Sequence, residues 1–416
     1  MRQLITEITR KVVDARIRDG LWALRSRGDR TVIESVIRGA LNLPYKIGSN
    51  QDHLKATMEW LCAAQDATTD GGISAFYDVR SGVWGPPYPE TTGYIIPTFF
   101  DYAVFNGDKD YRTRAFRMAN WLLTTQLKNG AFPIGPLWPD WERVPLIFDT
   151  GQIIHGLVRA YEEDGSLDYL EAARRAGDFL LEVQDEDGGW SRFTPLNHVN
   201  TYNTRTAWAL LRLHEATHDQ RYQAAAVQNL TRVITQQMHD GWFCNAAFRP
   251  DEDPLTHTIV YTIEGLLESG KLLSDHQFIE AASLASTAML ERQKQDGYLR
   301  ARYGQGWQPT VNWSCLTGNA QMAMVWLQLF EITGDNSYVQ AAIQANRFIK
   351  QTQCRNSRLD GVRGGISGSY PIYGEYEPYR HLNWAAKFFV DSLLLEESIP
   401  NGQKIQSNSM QRQENR

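Results

Sequence analysis

Two carboxylic side chains stand at equivalent places in the sequence. Glu90 lies in YPETTGY and Asp149 lies in PLIFDTGQIIHG, each directly before a threonine and at the start of an apolar stretch. Two carboxyl groups that face one cavity can serve as general acid and general base at a glycosidic bond. Capping of a helix N-terminus is the alternative role, because carboxylate oxygens accept hydrogen bonds from free N–H groups there.

A second set of candidates lies further along the chain. His257, Tyr261 and Glu264 are spaced by four and three residues, which places them on one face of a helix. His257 and Tyr261 become candidate catalytic residues if that face lines a cavity, and satisfied polar groups of the core if it does not. Arg205 and Arg380 could bind a carboxylate substrate through their planar guanidinium groups, or form ion pairs between neighbouring helices.

Aromatic residues are concentrated in six long stretches between the predicted helices, over residues 73–90, 131–148, 190–202, 242–257, 298–313 and 366–384. These stretches hold 23 of the 47 aromatic residues. Flat rings suit the faces of sugars or terpenoid chains, whereas a small core that stabilises the loops is the alternative reading. The candidate substrate-binding residues, beside the two arginines, are Trp84, Tyr88, Trp138, Trp141, Tyr202, Trp313, Tyr376 and His381.

Other chemistries lack their sequence signals. The histidines and cysteines show no zinc spacing, and DEDGGW lacks the ligand rhythm of an EF-hand. The chain contains no Walker loop, no GxSxG and no GxGxxG after a strand. We therefore predict neither a metal ion nor a cofactor.

The elements that must position these residues form an internal repeat. Six segments carry an apolar pair followed by Gln and, in five of them, by Asp/Asn-Gly; they begin at Trp60, Trp121, Phe179, Val233, Met289 and Phe348. In the sixth copy the corresponding glycines come later, at Gly364 and Gly365. Between these segments a polar turn and an aromatic residue recur, at Tyr111, Tyr169, Tyr222, Phe278 and Tyr338.

Each repeat predicts a helical hairpin. The helix after the turn aromatic is amphipathic and belongs outside, near 51–65, 110–126, 168–184, 221–237, 277–293 and 337–353. The next helix is apolar nearly all round and belongs inside, near 91–105, 150–162, 203–216, 257–270, 315–332 and 381–396. The last inner helix lacks an outer partner, which the first outer helix can supply. We therefore expect an all-α fold, an (α/α)6 toroid, over an open solenoid.

Composition bounds the remaining possibilities. The 416 residues include 42 Lys and Arg against 48 Asp and Glu, and this net charge of −6 argues against nucleic acid as a partner. Residues 1–48 carry a net charge of +5 and predict a helical extension that packs on the ring or contacts a membrane or partner. The toroid should span residues 49–397, followed by a disordered tail over 398–416. Without a signal peptide or paired cysteines, we expect a cytoplasmic protein.

The repeats, clearest in AGDFLLEVQDEDGGW, resemble those of the terpenoid-cyclase and prenyltransferase toroids over residues 45–396. That resemblance implies the toroid architecture. The sequence contains neither the acidic DxDD run that such cyclases use nor the Asp/Cys/His zinc site of the prenyltransferases.

A second resemblance is to carbohydrate-active toroids. The stretch FDTGQIIHGLVRAYEEDGSLDYLEAARRAGDFL, with NGAFP upstream, is similar to the C-terminal domain of glucuronyl C5-epimerases, and six-hairpin glycosidases share the architecture. The resemblance implies a uronate-containing glycan as substrate. The leading hypothesis is thus a hydrolase, lyase or epimerase of oligo- or polysaccharides, with exopolysaccharide metabolism as its setting. A non-catalytic glycan- or partner-binding toroid and a terpenoid-type enzyme are the alternatives.

Overall fold

The computed structural model describes residue 34 and residues 37–400. The predicted helical extension over residues 1–48 and the predicted disordered tail lie largely outside the described residues. Residues 37–40 are helical, and the chain then passes along the ring, where the Tyr45 N–H donates to the Gln351 carbonyl at 2.8 Å.

Twelve α-helices of 14 to 18 residues lie between residues 50 and 398 and alternate between two layers. The outer layer contains α1 (Asn50–Asp66), α3 (Lys109–Thr125), α5 (Leu167–Glu182), α7 (Gln220–Ile234), α9 (His276–Leu290) and α11 (Asn336–Thr352). The inner layer contains α2 (Pro89–Asn106), α4 (Ile147–Asp164), α6 (Thr204–Thr217), α8 (Thr256–Leu273), α10 (Leu316–Thr333) and α12 (Asn383–Ser398). Each boundary lies within about three residues of its expected position.

The ring is closed. Every inner helix packs against the next, and α12 packs against both α2 and the outer helix α1. Asn50 on α1 donates its amide to Glu396 on α12 at 2.8 Å. The first outer helix therefore completes the last hairpin, and the predicted all-α (α/α)6 toroid is confirmed.

A glutamine amide joins each repeat to the following one. Gln184 Nε2 donates both to the Gly188 carbonyl of its own turn at 3.1 Å and to the Ala225 carbonyl on the next outer helix at 3.0 Å. The same pair of bonds is made by Gln65, Gln126 and Gln237. The Gln of the repeat is therefore a link between neighbouring outer helices.

The sixth link closes the circle. Gln353 Nε2 donates to the carbonyl of the delayed Gly364 at 2.7 Å and to Thr57 Oγ1 on α1 at 2.8 Å. Gly364 has φ +84°, and a Cβ at this position would lie 2.0 Å from the Ala56 carbonyl oxygen. The chain can approach α1 this closely because glycine has no side chain and tolerates positive φ.

Small antiparallel strands, which the sequence did not predict, pair the long loops with one another. Strands β1 (Phe76–Asp78), β2 (Val83–Trp84) and β7 (Arg380–Leu382) form a sheet in the order β2-β1-β7, with Tyr77 opposite Trp84 and His381. Two further pairs join β3 (Tyr303–Gly304) to β4 (Gln308–Pro309) and β5 (Ser314–Cys315) to β6 (Ser369–Tyr370). Because β1 and β7 belong to the first and last loops, the loops also close on themselves.

Several loop tryptophans belong to the core. Trp190 and Trp307 are almost fully buried, and the Trp307 ring lies 5.1 Å from Trp242 in an edge-on contact. The alternative reading of the aromatic loops therefore holds for these residues. Among the described residues, none of the helices combines the length and the apolar character needed to cross a bilayer.

Two glycines test how strongly the repeat depends on its close contacts. Gly297 (φ +87°) would place a Cβ 2.1 Å from the Gln344 carbonyl oxygen, whereas Gly334 (φ +71°) has nothing within 4 Å. We expect Gly334→Ala to lower the free energy of unfolding by about 1 kcal/mol, from backbone strain alone. Gly297→Ala should cost at least twice as much in urea unfolding. Equal losses would mean that the turn-to-helix contact contributes nothing.

Candidate active site

A cavity of about 400 Å³ lies among the long loops and the first turns of the inner helices. Five of the six loops contribute to its lining, represented by Phe76, Ile134, Pro195, Phe248 and Glu377. The fifth loop, residues 298–313, packs its aromatic side chains elsewhere. The cavity therefore has the position that the sequence predicts for a functional site.

Glu90 and Asp149 share this cavity because their helices approach unusually closely. A Cβ on Gly93 would lie 2.6 Å from Ile153 Cα, and a Cβ on Gly156 would lie 2.2 Å from the Gly93 carbonyl oxygen. Only glycine permits these contacts between α2 and α4. The close packing brings the first turns of the two helices, and hence both carboxyl groups, to one opening.

The Asp149 carboxyl is buried. Its side chain is 1% exposed, and Oδ2 accepts a hydrogen bond from the Gly135 N–H at 2.9 Å. Burial raises the pKa of Asp149 well above its ordinary value, and the neighbouring charge of Glu90 raises it further. Both effects favour the protonated form of Asp149, while the hydrogen bond from the Gly135 N–H opposes them.

The Glu90 carboxyl differs in its partners. Burial raises the pKa of Glu90 to about 7, while a hydrogen bond from the Tyr88 hydroxyl and the positive charge of Arg205 oppose that rise. Near neutral pH Glu90 is therefore poised between its two states. The N-cap residues of α2 and α4 are Tyr88 and Leu146, neither of which makes a side-chain cap hydrogen bond, and Glu90 and Asp149 lie in the first turns of these helices.

A histidine and five tyrosines also line the cavity. His257 Nδ1 lies 2.7 Å from Gln321 Oε1, and the His257 ring lies 4.3 Å from that of Tyr261. Burial lowers the pKa of His257 to about 3, so the imidazole is neutral. Burial also raises the pKa of every tyrosine hydroxyl here, namely those of Tyr88, Tyr94, Tyr202, Tyr261 and Tyr376.

Arg380 brings a positive charge to the same cavity. It is paired with Glu377, lies 3.8 Å from Asp78 Oδ2, and holds its guanidinium carbon 3.9 Å from the Phe76 ring centre. Its side chain is still 32% exposed. The ion pairs of Arg380 therefore join loop segments rather than neighbouring helices, and its guanidinium remains partly exposed.

Arg205 lies beneath the cavity and outside its lining, where it forms the ion pair between neighbouring helices that the sequence offered as the alternative to substrate binding. It is 1% exposed, pairs with Glu264, and donates from Nε to Gln152 Oε1 at 2.8 Å. Its guanidinium also lies 5.0 Å from the Tyr261 ring centre. Glu264 lies about one turn after Tyr261 on α8. Its carboxylate neutralises the Arg205 guanidinium, which is therefore not available to pair with a substrate carboxylate.

Five other predicted binding residues also lie outside the lining. Trp84 packs between Trp60 and Tyr77, at ring distances of 5.2 and 5.1 Å. Trp313 is buried in a small cluster that includes Leu255.

His381 is buried as well, with Nδ1 3.3 Å from Ser367 Oγ. Trp138 and Trp141 are 38% and 63% exposed, and their rings lie 6.2 Å apart. Their loop also carries Ile134 and Pro136, which do line the cavity.

The predicted residues that the structure does bring together at the cavity are Tyr88, Glu90, Asp149, Tyr202, His257, Tyr261, Tyr376 and Arg380. Sequence reasoning missed Phe148 and Trp384, which also line it. Both lie in the first turn of an inner helix. Phe148 directly precedes Asp149, and Trp384 lies in the motif that contains Arg380, so their positions in the sequence could have identified them. The described residues contain no cluster of three or more His, Cys, Asp or Glu side chains arranged to bind a metal ion.

Comparison with known proteins yields both a family and structural relatives. The model of the squalene-hopene cyclase C-terminal domain matches residues 40–265, more than half of the chain. Lanosterol synthase erg7A of Aspergillus fumigatus is 28% identical over 192 residues, which are 44% of this chain. The match covers only 23% of that synthase.

Solved structures share the fold at low sequence identity. An unsaturated glucuronyl hydrolase from Bacillus sp. GL1 superposes with a TM-score of 0.68 at 16% identity, covering 84% of this chain and 97% of that one. Cellobiose 2-epimerase from Bacillus thermoamylovorans gives a TM-score of 0.64 at 11% identity, with coverage of 82% and 97%. These similarities establish the toroid fold.

The buried carboxyl groups predict how stability changes with pH. The pKa of Glu90 is about 7 in the folded chain against an ordinary value of 4.5, so folding is favoured while the group is protonated. This contribution is complete below pH 4.5 and is lost as the pH rises through 7, at a cost of about 3 kcal/mol. Glu90→Gln and Asp149→Asn should therefore raise the Tm at pH 8 and change it little at pH 5.

Glu264→Gln is the matched control, because it removes a buried carboxylate that is paired with Arg205. It should lower the Tm at both pH values, since an unpaired buried charge remains. A lower Tm at pH 8 for Glu90→Gln as well would show that Glu90 is a stabilising carboxylate and contradict the assignment above.

Proposed function

The chain belongs to the family of squalene-hopene cyclase C-terminal domains, and within it we propose a carbohydrate-active enzyme whose substrate is a uronate-containing glycan. One observation carries this proposal. Two buried carboxyl groups, Glu90 and Asp149, face a single cavity from the first turns of adjacent inner helices. Acid–base chemistry at a glycosidic bond requires such a pair.

The surroundings of the two groups suit different roles. Asp149, whose pKa is raised by burial and by the charge of Glu90, is the general acid that protonates the departing glycosidic oxygen. Glu90 is the base that takes a proton from water as the water oxygen bonds to the anomeric carbon. The glycosidic C–O bond breaks, the leaving sugar keeps the proton from Asp149, and the net reaction is hydrolysis.

Hydrolysis suits this cavity better than removal of a carbon-bound proton. A lyase or an epimerase needs a strong base, for which Tyr261 or His257 was the predicted residue. Burial raises the pKa of Tyr261 and so disfavours the phenolate, and burial lowers the pKa of His257 and so disfavours the imidazolium that proton uptake would form. These two residues are better suited to hydrogen bonding with substrate.

Two features favour a uronate as the sugar. Arg380 presents a partly exposed guanidinium to the cavity, where it can pair with a carboxylate. Tyr88, Tyr202, Tyr376 and Trp384 supply ring faces and polar edges that suit pyranose rings. The exposed Trp138 and Trp141 are available to the next sugar of a longer chain, and the structural relatives named for a glucuronyl hydrolase and an epimerase are in line with a sugar substrate.

A terpenoid-type reaction is the second candidate. The family match and the aromatic lining favour it, because aromatic faces stabilise cations and a protonated buried acid such as Asp149 could start a cyclisation. The charged groups Arg380 and Glu377 have no evident use with a hydrocarbon substrate. A toroid that only binds glycans would retain the cavity but need no carboxyl pair.

A ligand screen followed by turnover measurements tests the proposal. A hyaluronan disaccharide should raise the Tm more than cellobiose does, and squalene should leave it unchanged. Arg380→Gln should abolish the difference between the two sugars, because it removes the charge that pairs with the carboxylate. Stabilisation by squalene alone would favour the terpenoid reaction.

Turnover of the uronic oligosaccharide then separates an enzyme from a binding protein. Glu90→Gln and Asp149→Asn should each lower kcat at least ~100-fold while the ligand-induced Tm shift remains. Asp101→Asn, an exposed change on the same helix as Glu90, is the control and should leave kcat unchanged. Sugar binding with no turnover by the unaltered protein would identify a binding toroid.

A further inference from the structure

The cavity contains a histidine whose hydrogen bonding is completed on one side only. His257 Nδ1 lies 2.7 Å from Gln321 Oε1, and both residues are buried. The other ring nitrogen, Nε2, has no protein partner among the described residues, and His257 forms part of the cavity lining. The Gln321 amide nitrogen is also buried without a partner in that part of the chain.

A second His–Gln pair in the same chain shows what a purely structural arrangement looks like. His53 Nδ1 also contacts a glutamine oxygen, that of Gln353. There the Gly48 N–H donates to His53 Nε2 at 3.1 Å. The Gln353 amide nitrogen donates to the Gly364 carbonyl at 2.7 Å, so its oxygen must face the imidazole. In this pair every polar group has a protein partner, and nothing is left for a ligand.

The rings around His257 limit its movement. Its centroid lies 4.3 Å from that of Tyr261 and 5.8 Å from that of Tyr376, and the ring of Phe248 is 6.4 Å away. The imidazole is therefore held at a defined angle between the Gln321 amide and the cavity. Burial and the positive charge of Arg205 keep it neutral, with the pKa of His257 at about 3.

We propose that Gln321 is a positioning residue, which holds His257 with its proton on Nδ1 and so presents the Nε2 lone pair to a hydroxyl group of the ligand. A neutral imidazole carries a single N–H, and a bond from Nδ1 to the Gln321 oxygen assigns that proton. The free Nε2 can then only accept a hydrogen bond. A hydroxyl group can donate one, whereas a carboxylate, an ether oxygen or a hydrocarbon cannot.

The inference rests on the proposed function only for the nature of the ligand. In this arrangement Arg380 binds the carboxylate of the sugar and His257 accepts a hydrogen bond from one of its hydroxyl groups. It also gives His257 a role that needs no protonation. Loss of the Gln321 oxygen should therefore weaken sugar binding without changing the pH at which the carboxyl pair titrates.

Nitrogen-15 NMR of the full chain labelled at histidine tests this directly, with His257 assigned by its absence in His257→Asn. We expect the His257 signals of a neutral ring protonated on Nδ1. In Gln321→Leu the proton should move to Nε2, the form that free imidazole side chains usually prefer, while Gln353→Leu should change only His53. An Nε2–H form in the unaltered chain, or no effect of Gln321→Leu, would overturn the assignment.

Gln321→Glu keeps the shape of the side chain and guards against misfolding of the leucine variant. Its carboxylate should raise the pKa of His257, so that both ring nitrogens carry protons nearer neutral pH. Gln353→Glu should do the same to His53 alone. An unchanged His257 titration in Gln321→Glu would contradict a direct contact between the two side chains.

Addition of a hyaluronan disaccharide tests the hydroxyl contact. The His257 Nε2 signal should shift upfield as it accepts a hydrogen bond, and the KM of the sugar should rise at least about tenfold in Gln321→Leu, with kcat less affected. A disaccharide that binds without moving this signal overturns the hydroxyl contact. A disaccharide that does not bind overturns the proposed glycan function, while the tautomer is judged independently by the leucine variant.

Discussion

Each repeat of this protein is fixed to the next by one glutamine side chain. In the third repeat, the amide nitrogen of Gln184 binds the carbonyl of its own turn at Gly188 and a carbonyl of the following outer helix. In the sixth repeat, Gln353 forms the same kind of link back to the first helix through Thr57. Because the links close in a circle, the hairpins share one orientation, and their long loops gather around one cavity.

The chemistry of that cavity follows from the burial of its ionisable side chains. Glycine contacts between α2 and α4 bring Glu90 and Asp149 to a single opening. Burial there favours the protonated carboxyl groups, the neutral imidazole and the neutral phenols alike. Beneath them, Arg205 is neutralised by Glu264 and lowers the pKa of Glu90 without meeting the ligand. The two carboxyl groups therefore differ in their proton affinity although they occupy similar positions.

The sequence predicts the helices well because their signals are local and repeated. The periodic apolar faces and the Gln and Gly of each turn place the helix boundaries within about three residues. Glu90 and Asp149 were also predictable, since each stands at the start of an inner helix. An ion pair between helices was one of the two roles expected for Arg205, but its partner Glu264 was not predictable, because no local pattern specifies a contact with another helix. The sequence could not show which loop aromatics belong to the core and which line the cavity, because that depends on contacts between distant segments. Trp307, for example, packs on Trp242, which lies far away in the sequence.

Glu90 and Asp149 are buried in one cavity, where the charge of Glu90 raises the pKa of Asp149. A carbon-13 NMR titration of the carboxyl groups, with the Asp149 signal assigned by its absence in Asp149→Asn, measures this most directly. We expect the Asp149 signal to titrate well above the range of ordinary aspartates and to move to lower pH when Glu90 is replaced by Gln. Titration of Asp149 in the ordinary range, unaffected by that replacement, would contradict it.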